Sequence, residues 1–143
     1  MIMDYRVFAE ELVDLQTLQH LAPVTRKLSV LDNGTYLALH YLVSHQKVAH
    51  PKELSQNMSI STARVAALLK HMEQEGFIVR TPDPSDNRQI IVSLTGHGEQ
   101  LIKNKRAEAV DIMAEVLEEL GPEETKTYLR IQRKLLEKFL HRL

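Results

Sequence analysis

Between residues 51 and 94 the chain changes its hydrophobic period abruptly, and few folds accommodate such a change. Up to Gly76 the apolar residues recur at steps of three and four, the period of an amphipathic helix. The next residues, Phe77-Ile78-Val79-Arg80-Thr81, are β-branched and aromatic. The turn formers Pro82-Asp83-Pro84-Ser85-Asp86-Asn87 follow, and residues 89–94 form a second β run. This reads as a hairpin whose polar loop is longer than a tight turn requires. Upstream, His50-Pro51 opens a short helix that carries Leu54 inward and stops near Asn57, since proline at the first helical position gives up an N–H that has no partner anyway. Asn57-Met58-Ser59-Ile60 is a tight polar connection. Ser61 is placed to cap a helix over 62–75, and Gly76 ends it as a left-handed cap. Two short helices this close together read as a helix-turn-helix. The expected fold class is therefore mainly α with a small β-hairpin wing (α+β), a winged helix-turn-helix with long N- and C-terminal helices.

The flanks set the organisation. Residues 4–21 place Tyr5, Phe8, Leu12, Leu15 and Leu18 on one helical face, and Pro23 makes residues 22–30 a connector. Asp32 or Asn33 caps a second helix through about Gln46, with Tyr36, Leu39, His40 and Val43 along one side. Thr95 caps a long helix over 96–120, and Gly121-Pro122-Glu123-Glu124 breaks and restarts the chain. The last helix carries Tyr128, Ile131, Leu135 and Phe139 on one side and Leu129, Leu136, Leu140 and Leu143 on another. That apolar surface is too wide to rest on one small module, so a second copy of the chain is the expected partner. The expected parts of one overall domain are a dimerisation helix and connector at 1–31, a winged helix-turn-helix lobe at 32–95 with its second helix at 61–75 and wing at 77–94, and dimerisation helices at 96–143.

Composition narrows the function. The chain has no cysteine, which removes disulfides, thiolate metal sites and cysteine nucleophiles together and suits the cytoplasm. A net charge of −1 among 143 residues gives no global basic excess, so any phosphate contact must be local. The first residues lack the apolar core of a signal peptide, and no apolar run approaches the ~18 residues of a membrane span. Glycine-rich phosphate loops, nucleophile elbows and placed acid–base pairs are missing, so an enzyme is not expected. None of the seven histidines has another three or four residues away, so no helix presents a two-histidine metal clip, and no metal site or cofactor is expected.

Asp83-Pro84-Ser85-Asp86-Asn87-Arg88, followed by Leu94-Thr95-Gly96-His97-Gly98, resembles the wing signature of the MarR family of bacterial transcription regulators, D-P-x-D-x-R and then L-T-x-x-G. Glu53-Leu54-Ser55, Ser61-Thr62-Ala63-Arg64-Val65, Leu68-Leu69 and Glu75-Gly76-Phe77-Ile78 are similar to the family's helix-turn-helix pattern. The resemblance covers essentially the whole chain. It implies a homodimeric repressor that binds double-stranded DNA at a pseudo-palindromic operator and is released by a small aromatic or anionic effector. The family's effector crevice would be lined here by His20, Tyr36, His40 and Tyr41. Thiol-based peroxide sensing, another mechanism of the family, is excluded by the absence of cysteine. Ala66 and Ala67 depart from the polar or basic residues common in the family's recognition helix, and Asp32 replaces a frequent threonine. The alternatives are a winged helix used for protein–protein contact and a metal-responsive regulator of the same fold.

Projected at 100° per residue, Val65, Leu68, Leu69 and Met72 of the recognition helix face the core. Ala63, Ala66, Ala67 and Lys70 lie opposite, with Thr62 and Arg64 at the rims. Alanines in a major groove pack against thymine methyls, so an A·T bias is expected, with Thr62 and Arg64 making the polar contacts. The competing reading is that the alanines only raise helix propensity. Arg88 is expected in the minor groove, with Asp86 orienting it or bonding the turn's own backbone. Phosphate contacts are assigned to Lys47, Lys52, Ser55, Ser59, Ser61 and Lys70.

Overall fold

The computed structural model describes residues 2–142; Leu143 lies outside them. Helix α1, Tyr5–Leu21, starts where the Asp4 carboxylate accepts the Arg6 N–H at 3.0 Å. The expected connector is itself helical. It forms α2, Thr25–Leu28, and a 3₁₀ turn, Ser29–Asp32. Pro23 ends α1, but its fixed φ suits the start of a new turn, and the Thr25 hydroxyl donates to the Ala22 carbonyl at 2.6 Å. Helix α3, Gly34–Ser44, is capped by Asn33, not Asp32, with the Thr35 N–H 2.8 Å from Asn33 Oδ1. It stops short of Gln46 because Gln46 and Lys47 both take positive φ. Its buried side is Ala38, Leu39 and Leu42, whereas Tyr36 is half-buried and His40 and Val43 are exposed.

Val48–Ala49 form a short strand, β1, too brief to show any period in the sequence. Helix α4, Pro51–Met58, ends at Ser59 in the left-handed region, and α5, Thr62–Gln74, begins where Ser61 Oγ accepts the Arg64 N–H at 3.2 Å. Gly76, at φ +80°, then turns the chain into the hairpin. Strand β2 is Ile78–Asp83 and β3 is Asp86–Leu94, in an antiparallel sheet of order β1-β3-β2. The wing loop is thus tight, not long: the strands claim Pro82 and Asp83 on one side and Asp86 and Asn87 on the other. Pro82 is tolerated because β2 is an edge strand and the register shifts at Pro82/Asp83.

Helix α6, Gly96–Leu120, and α7, Pro122–Leu140, meet at Gly121, whose φ is +94°. The chain divides into two compact units after Arg106. In the first, Leu39, Leu42, Leu54, Val65, Leu69, Met72, Ile78 and Val92 are fully buried, a core assembled from α3, α4, α5 and the sheet. At about 1.5–3 kcal/mol for each such side chain, this cluster is what holds α5 and the hairpin on one body. No described helix is long and apolar enough to cross a membrane.

Candidate nucleic-acid interface

Helix α5 has two unlike sides. Val65, Leu69 and Met72 are buried and Leu68 half-buried, while Thr62, Ala63, Arg64, Ala66, Ala67 and Lys70 are all exposed. The solvent side is therefore flat and alanine-rich, with polar groups at its N-terminal end. Arg64, Lys70 and Lys52 are in none of the ion pairs found among the described residues. Lys47 differs: its Nζ sits 3.0 Å from Glu99 Oε2 and holds that carboxyl below the usual range, so Lys47 is tied to the start of α6. Ser59 and Ser61 are exposed, while the half-buried Ser55 donates its hydroxyl to the Ile60 carbonyl at 2.7 Å and so fixes the turn between the two helices.

The two aspartates of the wing do the same local work. Asp83 Oδ1 accepts the Ser85 N–H at 2.8 Å, and Asp86 Oδ1 accepts the Arg88 N–H at 3.1 Å, each reaching two residues on. The same Asp86 oxygen accepts from Arg88 Nε at 3.1 Å, so both sequence-based roles for Asp86 coexist. The Arg88 side chain is nevertheless 91% exposed. Asp83 is different again, at 7% exposure, because its second oxygen meets His50 Nε2 at 2.8 Å.

Two ties hold the wing to the helices. Glu73 on α5 takes the Arg80 guanidinium on both oxygens, at 3.0 and 3.2 Å, and also the Arg80 N–H at the free edge of β2. Arg80 keeps the Glu73 carboxyl below its ordinary range and is itself raised. The second tie is His50, with Nε2 on Asp83 and Nδ1 3.0 Å from Glu53 Oε1. Asp83, then Glu53, raise the His50 pKa above the ordinary histidine value. The His50 N–H lowers Glu53, and the His50 side chain lowers Asp83. The Tyr41 hydroxyl closes the set on Glu53 Oε2 at 3.1 Å, and partial burial followed by Glu53 raises its pKa. The sequence reading gave His50 only the role of helix start. The Glu53 carboxylate returning to its N–H was legible as a capping-box pattern, but the pairing with Asp83, 33 positions away, left no local signal.

The model of the MarR family matches residues 35–90, from α3 through most of the hairpin. The organic hydroperoxide resistance transcriptional regulator of Bacillus subtilis (strain 168) is 35% identical over 95 residues, which are 66% of this chain and 60% of that relative's own length. A MarR family protein from Bacillus stearothermophilus has a structure that superposes with a TM-score of 0.78 at 25% identity, over 97% of this chain and 99% of that one. The chain is similar to the MarR family through its winged helix-turn-helix region. A Staphylococcus aureus MepR variant, in a structure bound to an oligodeoxyribonucleotide, shares the fold at a TM-score of 0.61 and 20% identity, covering 96% of this chain and 99% of its own. The MarR family and these relatives are transcriptional regulators, not enzymes.

Within this MarR fold the L-T-x-x-G segment has a packing reason. Thr95 Oγ1 donates to the Gly76 carbonyl at 2.6 Å and accepts the Gly98 N–H at 3.0 Å, so it caps α6 and ties the helix to the turn after α5. The four effector-crevice residues are not brought together. His20 lines a hollow with Arg26 and Asp32, Tyr36 lines another with Leu39 and Leu101, and His40 and Tyr41 line a third with His45 and Asn57. Tyr36 and His40 rings do stack at 6.3 Å, but Tyr41 stacks on His45 instead, at 3.8 Å. Among the described residues no three His, Asp or Glu side chains converge as a metal site.

Proposed function

We propose that the chain is a homodimeric, sequence-specific DNA-binding repressor that a small ligand releases. The observation that carries this reading is the presence, on one compact unit, of a solvent-facing α5 surface and an Arg88 that stands 91% exposed on the wing. A major groove about 12 Å wide admits a helix such as α5, and a narrow minor groove favours an arginine. Thr62 and Arg64 reach base edges, while Ala63, Ala66 and Ala67 pack on thymine methyls, which biases the operator core toward A·T. Lys52, Lys70, Ser59 and Ser61 contact phosphate, and Ser55 acts through the turn that it holds. The DNA-bound MepR structure supports the same use of the fold. Every residue of α1 is exposed, its apolar face included, and so is nearly every described residue of α7. These faces support a dimer that reads a pseudo-palindromic operator with one lobe per half-site.

The effector is a small aromatic anion. Of the three hollows that touch the expected residues, the one of about 150 Å³ lined by Tyr36, Leu39, Leu101, Ile102 and Lys105 combines aromatic, apolar and cationic walls. The protein acts in the cytoplasm, where its operator is. In vitro selection of duplexes on the full chain tests the whole reading, followed by mobility shifts against a panel of phenolic and drug-like carboxylates. The expected result is an A·T-rich inverted repeat released by members of the panel. A G·C-rich core rejects the alanine–thymine contact, and failure to retain any duplex transfers the wing to protein–protein contact.

A further inference from the structure

The hydrogen bonds of His50 demand a particular charge state. Its two ring nitrogens face two different carboxylates, Asp83 Oδ2 at 2.8 Å and Glu53 Oε1 at 3.0 Å. A neutral imidazole has one ring proton and leaves a lone pair facing one of them, whereas the imidazolium donates to both. An N-cap is ordinarily Ser, Thr, Asp or Asn, and Pro51 and the return bond from Glu53 to the His50 N–H already begin the helix.

The groups that face His50 are few. Glu53 comes from α4, Asp83 from β2, and Tyr41 from α3 acts through Glu53. Lys52 of α4 and Gln89 of β3 line the same groove, of about 470 Å³. Both carboxylates lie below their ordinary range and Tyr41 above its own, so none of these three changes charge near neutrality. Asp83 stands directly before the wing loop, three positions ahead of the Asp86 that steers Arg88. When His50 loses its proton, one charge-assisted hydrogen bond goes and two carboxylates are left without the cation between them.

We propose that protonated His50 is a positioning residue that fastens the wing to the start of α4 and fixes where Arg88 stands relative to α5, so that DNA affinity falls as pH rises and His50 deprotonates. The inference rests on the DNA-binding reading above. Because His50 is raised above its unfolded value, the tie is complete below pH of about 6.5 and is lost as pH rises through the folded value.

Two readouts on the full-length protein separate this inference from the reading it rests on. NMR follows the His50 ring and the backbone amides of residues 85–88 from about pH 5.5 to 9, a range that brackets the ordinary histidine value. Fluorescence anisotropy at constant ionic strength follows affinity for the tightest selected duplex over the same range. The expected result is a His50 midpoint above about 6.5, wing amides that move with that midpoint, and an affinity loss of about fivefold across it. His50→Gln removes the pH-dependent loss while circular dichroism stays unchanged, and His71→Gln, the same exchange made on α5, retains it. A His50 midpoint at or below the ordinary value, or wing amides indifferent to it, overturns the proposal. So does a loss that survives in His50→Gln or vanishes in His71→Gln. If the wild-type chain binds no duplex at any pH, the DNA-binding reading fails, and the amide titration alone decides whether His50 positions the wing.

Discussion

At position 98 a Cβ would lie inside the van der Waals surface of the Phe77 carbonyl oxygen and 2.9 Å from Leu94 Cδ1. Backbone is one of the two obstacles, so the start of α6 would have to move away from the turn that follows α5. Gly98→Ala is expected to destabilise the fold by about 1–3 kcal/mol, the usual cost of overpacking. Gly96→Ala makes the control, because nothing lies within 4 Å of its added Cβ. There, helix propensity gives alanine up to ~1 kcal/mol. Urea midpoints that move in opposite directions for the two variants confirm the assignment; equal midpoints refute it. Arg88 is the reverse kind of residue, 91% exposed and, among the described residues, partnered only within its own turn. Arg88→Ala should leave the urea midpoint within about 0.5 kcal/mol of wild type. Operator affinity should fall by roughly 1–3 kcal/mol per half-site, with a shallower salt slope. An alanine variant that binds as tightly as wild type removes the wing from the DNA contact.

Among the elements, those with a sustained period were legible and those defined by long-range pairing were not. The buried side of α5 and the Gly76 and Thr95 caps could be read directly, because residues three and four apart or a single cap fix them. Strand β1 was missed because two residues have no period; it exists only through its pairing with Val92 and Ser93. Reading Pro82 as a loop residue shortened both strands, yet at a sheet edge its missing N–H costs no ladder bond. In the candidate site, the exposed side of α5 and the Asp86–Arg88 pair were visible in the sequence. The His50–Asp83 and Glu73–Arg80 ties, which fasten the wing to α4 and α5, were not. The first tie predicts how stability depends on pH. Glu53 and Asp83 are depressed, so their share is present above the ordinary carboxylate range and lost as pH falls through their folded values. His50 is raised, so its share is present in acid and lost as pH climbs through its folded value. Urea midpoints should therefore peak between these limits, and His50→Gln should flatten the alkaline side. An alkaline side as steep in His50→Gln as in wild type assigns that loss to another group.

For the whole molecule the decisive quantity is apolar surface without a cover. On α7, Leu136 is 56% exposed, Phe139 65% and Leu140 64%, and α1 adds Tyr5 at 74% and Leu18 at 63%. These residues recur at helical spacing, so they form continuous faces, unlike the scattered apolar atoms that any protein surface carries. Covering each large side chain contributes about 1.5–3 kcal/mol, against an association cost of roughly 4–15 kcal/mol. A few side chains per protomer, counted on both copies, are enough to make association favourable. Leu136→Asp combined with Leu140→Asp should convert the proposed dimer to a monomer in sedimentation at micromolar concentration. The buried cluster of the winged-helix lobe lies wholly within residues 38–102, so its circular dichroism and its unfolding transition should persist. Operator binding should fall much further than for Arg88→Ala, because a monomer loses one entire half-site together with the effective concentration that the dimer supplies. A monomer that still binds the full inverted repeat with wild-type affinity would separate DNA recognition from the α7 face. A double variant that sediments as a stable dimer would place the dimer contact elsewhere on the chain.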